Sequence, residues 1–299
     1  IRDRLWAWAR NNLAGSDIAS NLPGWWWGKD DKGQWRLLDS NSASDADLWF
    51  VYALSEAARL WQDDAYTKDA NLLLANIKAR EVADLPGLGK MLLPGPFGFA
   101  QPDHLWHLNP SYLPVPVLRR LAGVDPQGPW NEIARSTGSL MQRAAKHGFV
   151  ADWVGYRGTG PGSGLFIVDP MKGELGSYDA IRTYLWAGLT PNSDPLAKPI
   201  LDSLDGMSRV VATQGTPPEK VQVHSGTTSN AGNFGFSAAL LPYLKARQQP
   251  WLVQQQRARV DTELAQSLTP EAVQTHQPPY YSVVLSLSLI HISEPTRRR

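Results

Sequence analysis

Acidic side chains beside aromatic ones are the strongest sign of chemistry in this sequence. The densest polar cluster is Asp39-Ser-Asn-Ser-Ala-Ser-Asp-Ala-Asp47, which runs directly into a segment whose apolar residues have helical spacing. Ser, Asp and Asn at such a position are typical N-caps, and the helix dipole favours a carboxylate there. Capping explains one or two of the acids, but not three of them beside Trp49. Taken alone, the cluster favours capping and leaves catalysis open.

A second acid, Asp179, lies in the motif Ser177-Tyr-Asp-Ala-Ile-Arg-Thr-Tyr-Leu-Trp186. Asp179 and Arg182 are three residues apart, so on a helix they share a face and can pair. One interpretation is a salt bridge at a helix start, which contributes little to stability when it is exposed. The other is a carboxylate oriented by Arg182 at the end of an aromatic-lined groove. The residues alone leave both interpretations open.

Composition excludes several other kinds of site. The 299 residues carry a formal net charge of +1, so no electrostatic attraction to nucleic acid is expected. The absence of Cys excludes disulfides and a cysteine nucleophile. Of six histidines only His104 and His107 are close in sequence, and neither a phosphate loop nor a serine nucleophile elbow is present, so no metal and no cofactor are predicted.

Aromatic residues give the positive signal that remains. The chain has 13 Trp, 9 Tyr and 7 Phe, and flat rings in that number suit a groove for flat-faced ligands such as sugars. Two carboxylates with many rings point to glycoside hydrolysis, in which one acid protonates the leaving oxygen and one carboxylate activates water or attacks carbon.

The elements that must position these residues are predicted to be mostly helices joined by long loops rich in Pro, Gly and aromatic residues. Helical spacing predicts helices at residues 1–10, 47–61, 68–82, 130–146, 178–189, 196–212, 237–247 and 251–266. Short strands are predicted at 35–38 and 166–168, and the glycine-rich run 158–164 is predicted to be a flexible turn. No linker interrupts the pattern, which favours one helical domain.

Several motifs together resemble one known family. The segment Ala43-Ser-Asp-Ala-Asp-Leu-Trp, continuing to Trp61, resembles the signature of glycoside hydrolase family 8, most closely the members encoded with bacterial cellulose synthase. Further matching motifs follow in chain order, at residues 38–45, 86–95, 109–114, 152–153, 177–186 and 235–239. The likeness extends from about residue 1 to Leu287.

The resemblance implies a fold and a set of roles. The fold is all-α, an (α/α)6 barrel with a cleft for β-1,4-glucan, and the mechanism is inverting. Asp179 matches the general base, and Asp45 matches an acid beside the reacting sugar. Residues implied in substrate binding are Trp25, Trp27, Tyr112, Trp153, Arg182 and Tyr184.

Two departures from the family pattern stand at the ends of the chain. The family's general acid is a Glu in a Ser-Glu-Gly-Gln-Ser-Tyr-Gly segment, which these 299 residues do not contain. The barrel is therefore expected to be incomplete at its N-terminus and the chain as given to be inactive. Residues 288–299 (SLIHISEPTRRR) match nothing in the family and resemble a translated sequencing adaptor, so the domain is predicted at 1–287 and the tail is predicted to be non-native.

The resemblance also implies a biological setting. The expected ligand is β-1,4-glucan, as cellulose or cello-oligosaccharides, with no cofactor and no nucleic acid. A functional association with cellulose synthase, a monomeric state and a periplasmic or secreted location are expected. The alternatives are the same fold acting on xylan, chitosan or mixed-linkage glucan, or a glucan-binding toroid without catalysis.

Overall fold

The computed structural model describes residues 2–275 and 278–293, which fall into two compact units. The first unit holds the chain up to Leu113 together with Val117–Thr137 and Gly155–Ile167. The second holds Pro114–Pro116, Gly138–Val154 and the chain from Val168 onward. Each unit is described by itself.

Helices make up about half of the chain. They are α1 (Arg2–Leu13), α2 (Ser44–Trp61), α3 (Asp64–Arg80), α4 (Val115–Val124), α5 (Trp130–Ala144), α6 (Ala180–Leu189), α7 (Ala197–Ser203), α8 (Asp205–Gln214), α9 (Phe234–Ala246), α10 (Pro250–Ser267), α11 (Pro270–Thr275) and α12 (Tyr280–Ser293). A short 3-10 helix covers Pro110–Tyr112.

Strands in the described residues form four small sheets. They are β1 (Gly24–Lys29), β2 (Trp35–Ser42), β3 (Val82–Leu85), β4 (Gly89–Leu92), β5 (Ala100–Gln101), β6 (Leu105–Leu108), β7 (Val154–Gly160), β8 (Ser163–Val168), β9 (Leu175–Gly176), β10 (Pro218–Gln222) and β11 (Thr227–Ala231). The neighbours are β1-β2, β3-β4, β5-β6-β7-β8 and β11-β10-β9. The all-α prediction is therefore right for the dominant elements, but most of these strands, which lie in the long connections between helices, were not predicted.

The first unit is built on α2 and α3, which pack against each other. Both helices contribute fully or almost fully buried aliphatic side chains to the core, namely Leu48, Val51, Leu54, Leu73, Leu74 and Ile77. These positions recur every three to four residues, which gives each helix one apolar face. The hairpin β1-β2 leads directly into α2. The acids of the 39–47 cluster therefore lie at the end of β2 and in the first turn of α2, and the packing of α2 on α3 determines their position.

The second unit is built around α9, which packs against α6, α10 and α12. Nearly every side chain of α9 is buried, because the helix is apolar on all sides. Tyr243 of α9 packs edge-on against Tyr184 of α6 with ring centres 5.4 Å apart. Its hydroxyl donates to the carbonyl of Leu204 at 2.6 Å.

Most predicted helices are confirmed, with two informative differences. The window 196–212 is broken at Leu204, between α7 and α8. The carbonyl of Leu204 accepts the Tyr243 hydroxyl, and Gly206 lies so close to the turn at 147–148 that an added Cβ would be 2.3 Å from the carbonyl of His147. Tertiary contacts therefore interrupt a pattern that is continuous in sequence. The second difference is α4, which begins at the Pro114-Val-Pro116 motif and was not predicted.

The glycine-rich run is a second correction. Gly158 and Gly160 lie in β7 and Gly164 lies in β8, so the segment is a hairpin rather than a flexible turn. An added Cβ at Gly164 would lie 2.5 Å from the hydroxyl oxygen of Tyr156, which requires glycine at that position. The predicted strands at 35–38 and 166–168 are confirmed within the longer β2 and β8.

Helix α12 runs through the boundary predicted at residue 287. Leu289 is buried at 2% exposure, so part of the predicted tail packs in the second unit. Residues 294–299 of that tail lie outside the described residues, and the non-native origin of 288–299 stays a prediction. A helix long and apolar enough to span a lipid bilayer is not found in the described ranges.

Close packing of α6 on α9 gives a first testable prediction. An added Cβ at Gly188 of α6 would lie 2.1 Å from the backbone nitrogen of Tyr243 and 2.3 Å from the carbonyl carbon of Pro242. The substitution Gly188→Val is therefore expected to lower the free energy of unfolding by about 1–3 kcal/mol, because backbone cannot move aside. Chemical denaturation measures the change.

The matched control is Gly123→Val in α4, where an added Cβ approaches only the mobile end of Arg120, at 3.9 Å. This variant is expected to keep the parent stability or to gain a little, since valine has a higher helix propensity than glycine. Equal stability of the Gly188 and Gly123 variants would contradict close packing at this position.

Candidate active site

Asp45 lies in the first turn of α2 and is half-buried. The N-cap residue of this helix is Ala43, which makes no side-chain capping bond. Asp45 Oδ1 accepts the backbone N–H of Ala46 at 2.8 Å. The cluster therefore provides no side chain at the N-cap position itself. The negative charge of Asp45 nevertheless lies at the positive end of the helix.

Hairpin β1-β2 carries the tryptophans that precede Asp45. Trp25 is 57% exposed, and its indole N–H donates to Asp39 Oδ2 at 2.9 Å. The N–H of Asn41, and then the indole of Trp25, lower the pKa of Asp39. Trp27 is half-buried and packs edge-on against Trp8 with centres 5.6 Å apart. Trp25 is therefore held in one orientation with its ring open to solvent, as a sugar-stacking residue requires.

Tyr112 ends the 3-10 helix Pro110–Tyr112, which contacts α2. The side chain of Asn109 starts this helix by accepting the N–H and the hydroxyl of Ser111 at 3.0 and 2.7 Å. Asn109 and Ser111 are both buried, which makes this turn rigid. The Asn-Pro-Ser-Tyr motif therefore serves to place Tyr112 beside the helix that carries Asp45.

Asp179 lies at the N-terminus of α6 in the second unit. Arg182 Nη2 donates to Asp179 Oδ1 at 2.8 Å, with side-chain exposures of 21% and 32%. The predicted pairing is confirmed. Asp179 makes no side-chain capping bond to its own helix, so its carboxylate is not consumed by the helix start.

Asp152 performs that capping instead. Its Oδ1 accepts the backbone N–H groups of Ser177 and Ala180, both at 2.7 Å. Burial raises the pKa of Asp152, the two N–H donors lower it, and the negative charge of Asp179 raises it further. Sequence analysis noted Asp152 only within a matching motif. Its position next to Trp153 gave no sign that it binds the start of a helix 28 residues away.

Two tyrosines near Asp179 were also missed. Tyr178 is 45% exposed and packs edge-on against Phe236 and Tyr281. Tyr281 of α12 donates its hydroxyl to the carbonyl of Tyr178 at 2.9 Å. Burial raises the pKa of Tyr281 to about 12, while the charge of Arg182 lowers it. Tyr178 could have been recognised from its position before Asp179, whereas nothing in the sequence connects Tyr281 to the motif.

The predicted role of Tyr184 needs correction. Its side chain is 1% exposed and packs against Tyr243, so no surface of the ring is open to a sugar. Burial raises its pKa well above the ordinary value. Tyr184 lies four residues after the start of α6, and its contact with α9 fixes that helix rather than a ligand.

Trp153, the remaining predicted binding residue, is half-buried, with Lys172 Nζ 5.5 Å from the centre of its ring. The structure thus groups the predicted residues in two sets. Trp25, Trp27, Tyr112 and Asp45 lie in the first unit, and Trp153, Asp179 and Arg182 lie in the second. Across the described residues no three His, Asp or Glu side chains are arranged to hold a metal ion.

Similarity to known proteins identifies the family of this chain. The sequence matches the family described as Glycosyl hydrolases family 8 over residues 1–275. The chain belongs to this family. As a family 8 member it is a glycoside hydrolase, and the signature around Asp45 and the motif around Asp179 both lie within the matched range.

Relatives of this family 8 chain are named endoglucanases. It is 49% identical over 292 residues to the endoglucanase of Pseudomonas fluorescens (strain SBW25), covering 95% of this chain and 73% of that protein. It is 41% identical over 245 residues to the endoglucanase of Escherichia coli (strain K12), covering 82% of this chain and 65% of that protein.

A solved structure supports the fold. The endo-1,4-D-glucanase of Vibrio fischeri ES114 superposes with a TM-score of 0.88 at 36% identity, covering 97% of this chain and 80% of that chain. The family 8 fold is therefore shared. The complete ring of six helix pairs implied by the resemblance stays a prediction.

Proposed function

We propose that this chain is the catalytic part of an inverting endoglucanase that hydrolyses β-1,4-glucosidic bonds. The observation that carries the proposal is the Asp179–Arg182 pair at the start of α6, with Asp152 taking over the capping of that helix. A carboxylate that is oriented and partly exposed, but not used by its own helix, is available to accept a proton.

Asp179 is proposed as the general base. Water attacks the anomeric carbon on the face opposite the leaving group, and its proton passes to a carboxylate oxygen of Asp179. Arg182 donates a hydrogen bond to Oδ1 and so orients the carboxylate that is proposed to accept this proton. In the family pattern the proton donor is a Glu of a segment that these 299 residues do not contain. No other residue is proposed for that role.

Asp45, Trp25, Trp27, Tyr112 and Trp153 are proposed to bind the glucan. The exposed ring of Trp25 offers a face for stacking on a glucose ring, and the Asp39 hydrogen bond fixes the direction of that face. Asp45 is proposed to accept sugar hydroxyls. Names of the relatives support β-1,4-glucan as the substrate.

The proposed setting follows from the same resemblance. A monomeric enzyme, periplasmic or secreted, that trims cellulose in association with cellulose synthase fits the members whose motifs match. Copurification with a cellulose synthase complex and fractionation of the producing cell test these two statements directly.

The proposed reaction is tested with β-cellotriosyl fluoride, because fluoride leaves carbon without being protonated and the test needs no general acid. Attack of water on C1, loss of fluoride and transfer of the water proton to Asp179 balance the reaction. We expect fluoride release by the chain and a product that is first the α-anomer, observed by proton NMR.

Three outcomes would contradict parts of the proposal. Product that is first the β-anomer excludes inversion, and no fluoride release above the spontaneous rate excludes Asp179 as a base. Faster release from β-xylotriosyl fluoride than from the cellotriosyl compound would transfer the proposal to xylan. A family member with a sugar-binding surface but no catalysis would bind cellohexaose and release no fluoride.

A further inference from the structure

Two carboxylic acids near Asp45 are completely buried. Asp47 in the first turn of α2 and Glu81 at the end of α3 each have 0% exposure. Buried carboxylates are normally paired with a cation, because an unpaired charge is strongly destabilised away from water. No basic side chain makes an ion pair with either of these two in the described part of the chain, and no role has been given to them above.

The neighbouring basic residues are engaged elsewhere. On α3, Lys78 pairs with Asp125 at 2.7 Å and Arg80 donates to the carbonyl of Ser20 at 2.5 Å. On β4, Lys90 pairs with Asp84 at 2.9 Å. On α2 the titratable group that acts on both buried acids is Asp45, whose negative charge makes their ionisation less favourable.

Hydrogen bonding within the cluster points to a proton. Ser42 Oγ donates to Glu81 Oε1 at 2.6 Å. Both oxygens of Asp47 and Oε2 of Glu81 are buried and have no ordinary donor. A carboxyl group that carries a proton is itself a donor, so one proton between the two acids supplies the missing hydrogen bond. With both acids ionised the contact would be repulsive, and with one protonated it is attractive.

The electrostatics of the pair agree with this geometry. Burial raises the pKa of Glu81 to about 7, while the hydrogen bond from Ser42 lowers it. Burial, and then the charge of Glu81, raise the pKa of Asp47 well above its ordinary value. Both directions favour a proton that the pair retains.

We propose that Asp47 and Glu81 share one proton and together hold the first turn of α2 in the position from which Asp45 reaches the glucan. The role given to Asp45 rests on the proposed function, whereas the proton sharing does not. Ala43 provides no side-chain cap for α2. The N–H of Ser44, the first residue of α2, donates instead to the carbonyl of Pro94 at 3.0 Å, and the N–H of the adjacent Leu93 donates to the carbonyl of Glu81 at 2.7 Å. Glu81 thus anchors the same segment through its backbone and through the pair.

The sign of the pH dependence follows from the raised values. In the unfolded chain both acids ionise near pH 4, whereas in the folded chain the pair retains protons to about pH 7 and above. The folded state therefore binds more protons in this interval, and the contribution of the pair to stability falls as pH rises from about 4. Above neutrality a second buried charge appears, and we expect the first turn of α2 to loosen.

The experiment is hydrogen exchange of the backbone amides 45–48, corrected for the intrinsic pH dependence of exchange. In the parent chain protection of these amides is expected to fall at least ~10-fold between pH 6 and 8.5, as one raised pKa is crossed. In Asp47→Asn the side-chain amide is a permanent donor. Protection of the same amides over the same pH interval is therefore expected to fall by less than ~3-fold in this variant. Glu81→Gln provides a second variant with the same expectation.

A matched control is Asp64→Asn, which removes an exposed acid from the first turn of α3. It is expected to leave the fall in protection at 45–48 as in the parent chain. Equal falls in the parent and in Asp47→Asn would overturn the proposal. The proposal would also be overturned if both Asp47→Asn and Glu81→Gln lost protection at both pH values or failed to fold. The fold would then require the two acids in their ionised form.

Binding of cellohexaose separates this inference from the proposed function. If the parent chain binds cellohexaose, its affinity should fall with rising pH together with the protection, and less so in Asp47→Asn. If the affinity stays constant while the protection falls, the pair does not position Asp45 for the sugar. If no sugar binds at any pH, the proposed function fails and exchange still decides whether the pair shares a proton and holds α2.

Discussion

Replacing Asp179 with Asn is expected to lower the rate of fluoride release from β-cellotriosyl fluoride by about 10²–10⁴-fold, the range typical for loss of a general base. Asn has the shape of Asp and still offers an oxygen to Arg182, so the start of α6 should remain in place. It cannot accept a proton from water. The measurement is the single-turnover rate of fluoride release at saturating substrate.

Two observations accompany that rate. The affinity of Asp179→Asn for cellohexaose should stay within about threefold of the parent value. The substitution removes only a proton acceptor and leaves the contacts with the bound sugar unchanged. The control is Asp202→Asn, which removes an ion-paired acid at i,i+4 from Lys198 in the same unit and should have no effect on the rate. A rate for Asp179→Asn close to that of Asp202→Asn would rule out the base assignment.

Replacing Asp152 with Ala is expected to have the second-largest effect. The substitution removes the acceptor of the Ser177 and Ala180 N–H groups, and leaving buried donors unpaired costs about 1–3 kcal/mol of stability. Because the same bonds fix the backbone that carries Asp179, we also expect the rate of fluoride release to fall by about 10–100-fold, as for an ångström-scale misplacement. Chemical denaturation and the fluoride assay measure the two effects.

Asp152→Asn distinguishes positioning from general destabilisation. Its side-chain oxygen can accept the same N–H groups, so most of the lost rate should return while the charge remains absent. A rate for the Asn variant as low as that of the Ala variant would mean that the charge of Asp152, and not its hydrogen bonds, is required.

Local sequence determined the helices and the pairing within them. Helical spacing predicted α2, α3, α5, α6 and α10 close to their observed ends, because each has apolar residues repeated every three to four positions. The predicted α9 is also confirmed, although it is apolar on all sides. The Asp179–Arg182 pair was predictable for the same reason, since both residues lie on one turn of one helix. The family was recognisable because its motifs are short, specific and ordered along the chain.

Contacts between distant segments were decided only by the tertiary structure. Asp152 caps α6 across 28 residues, Tyr281 of α12 lies near Asp179, and Glu81 lies near Asp47 of α2. Tyr184 matches a substrate-binding position of the family but is buried against α9, because a tyrosine gives no sign of which neighbour will cover its ring. Periodicity reports which face of a helix is apolar. It does not report what packs on that face, which is why the roles of side chains near the acids required the fold.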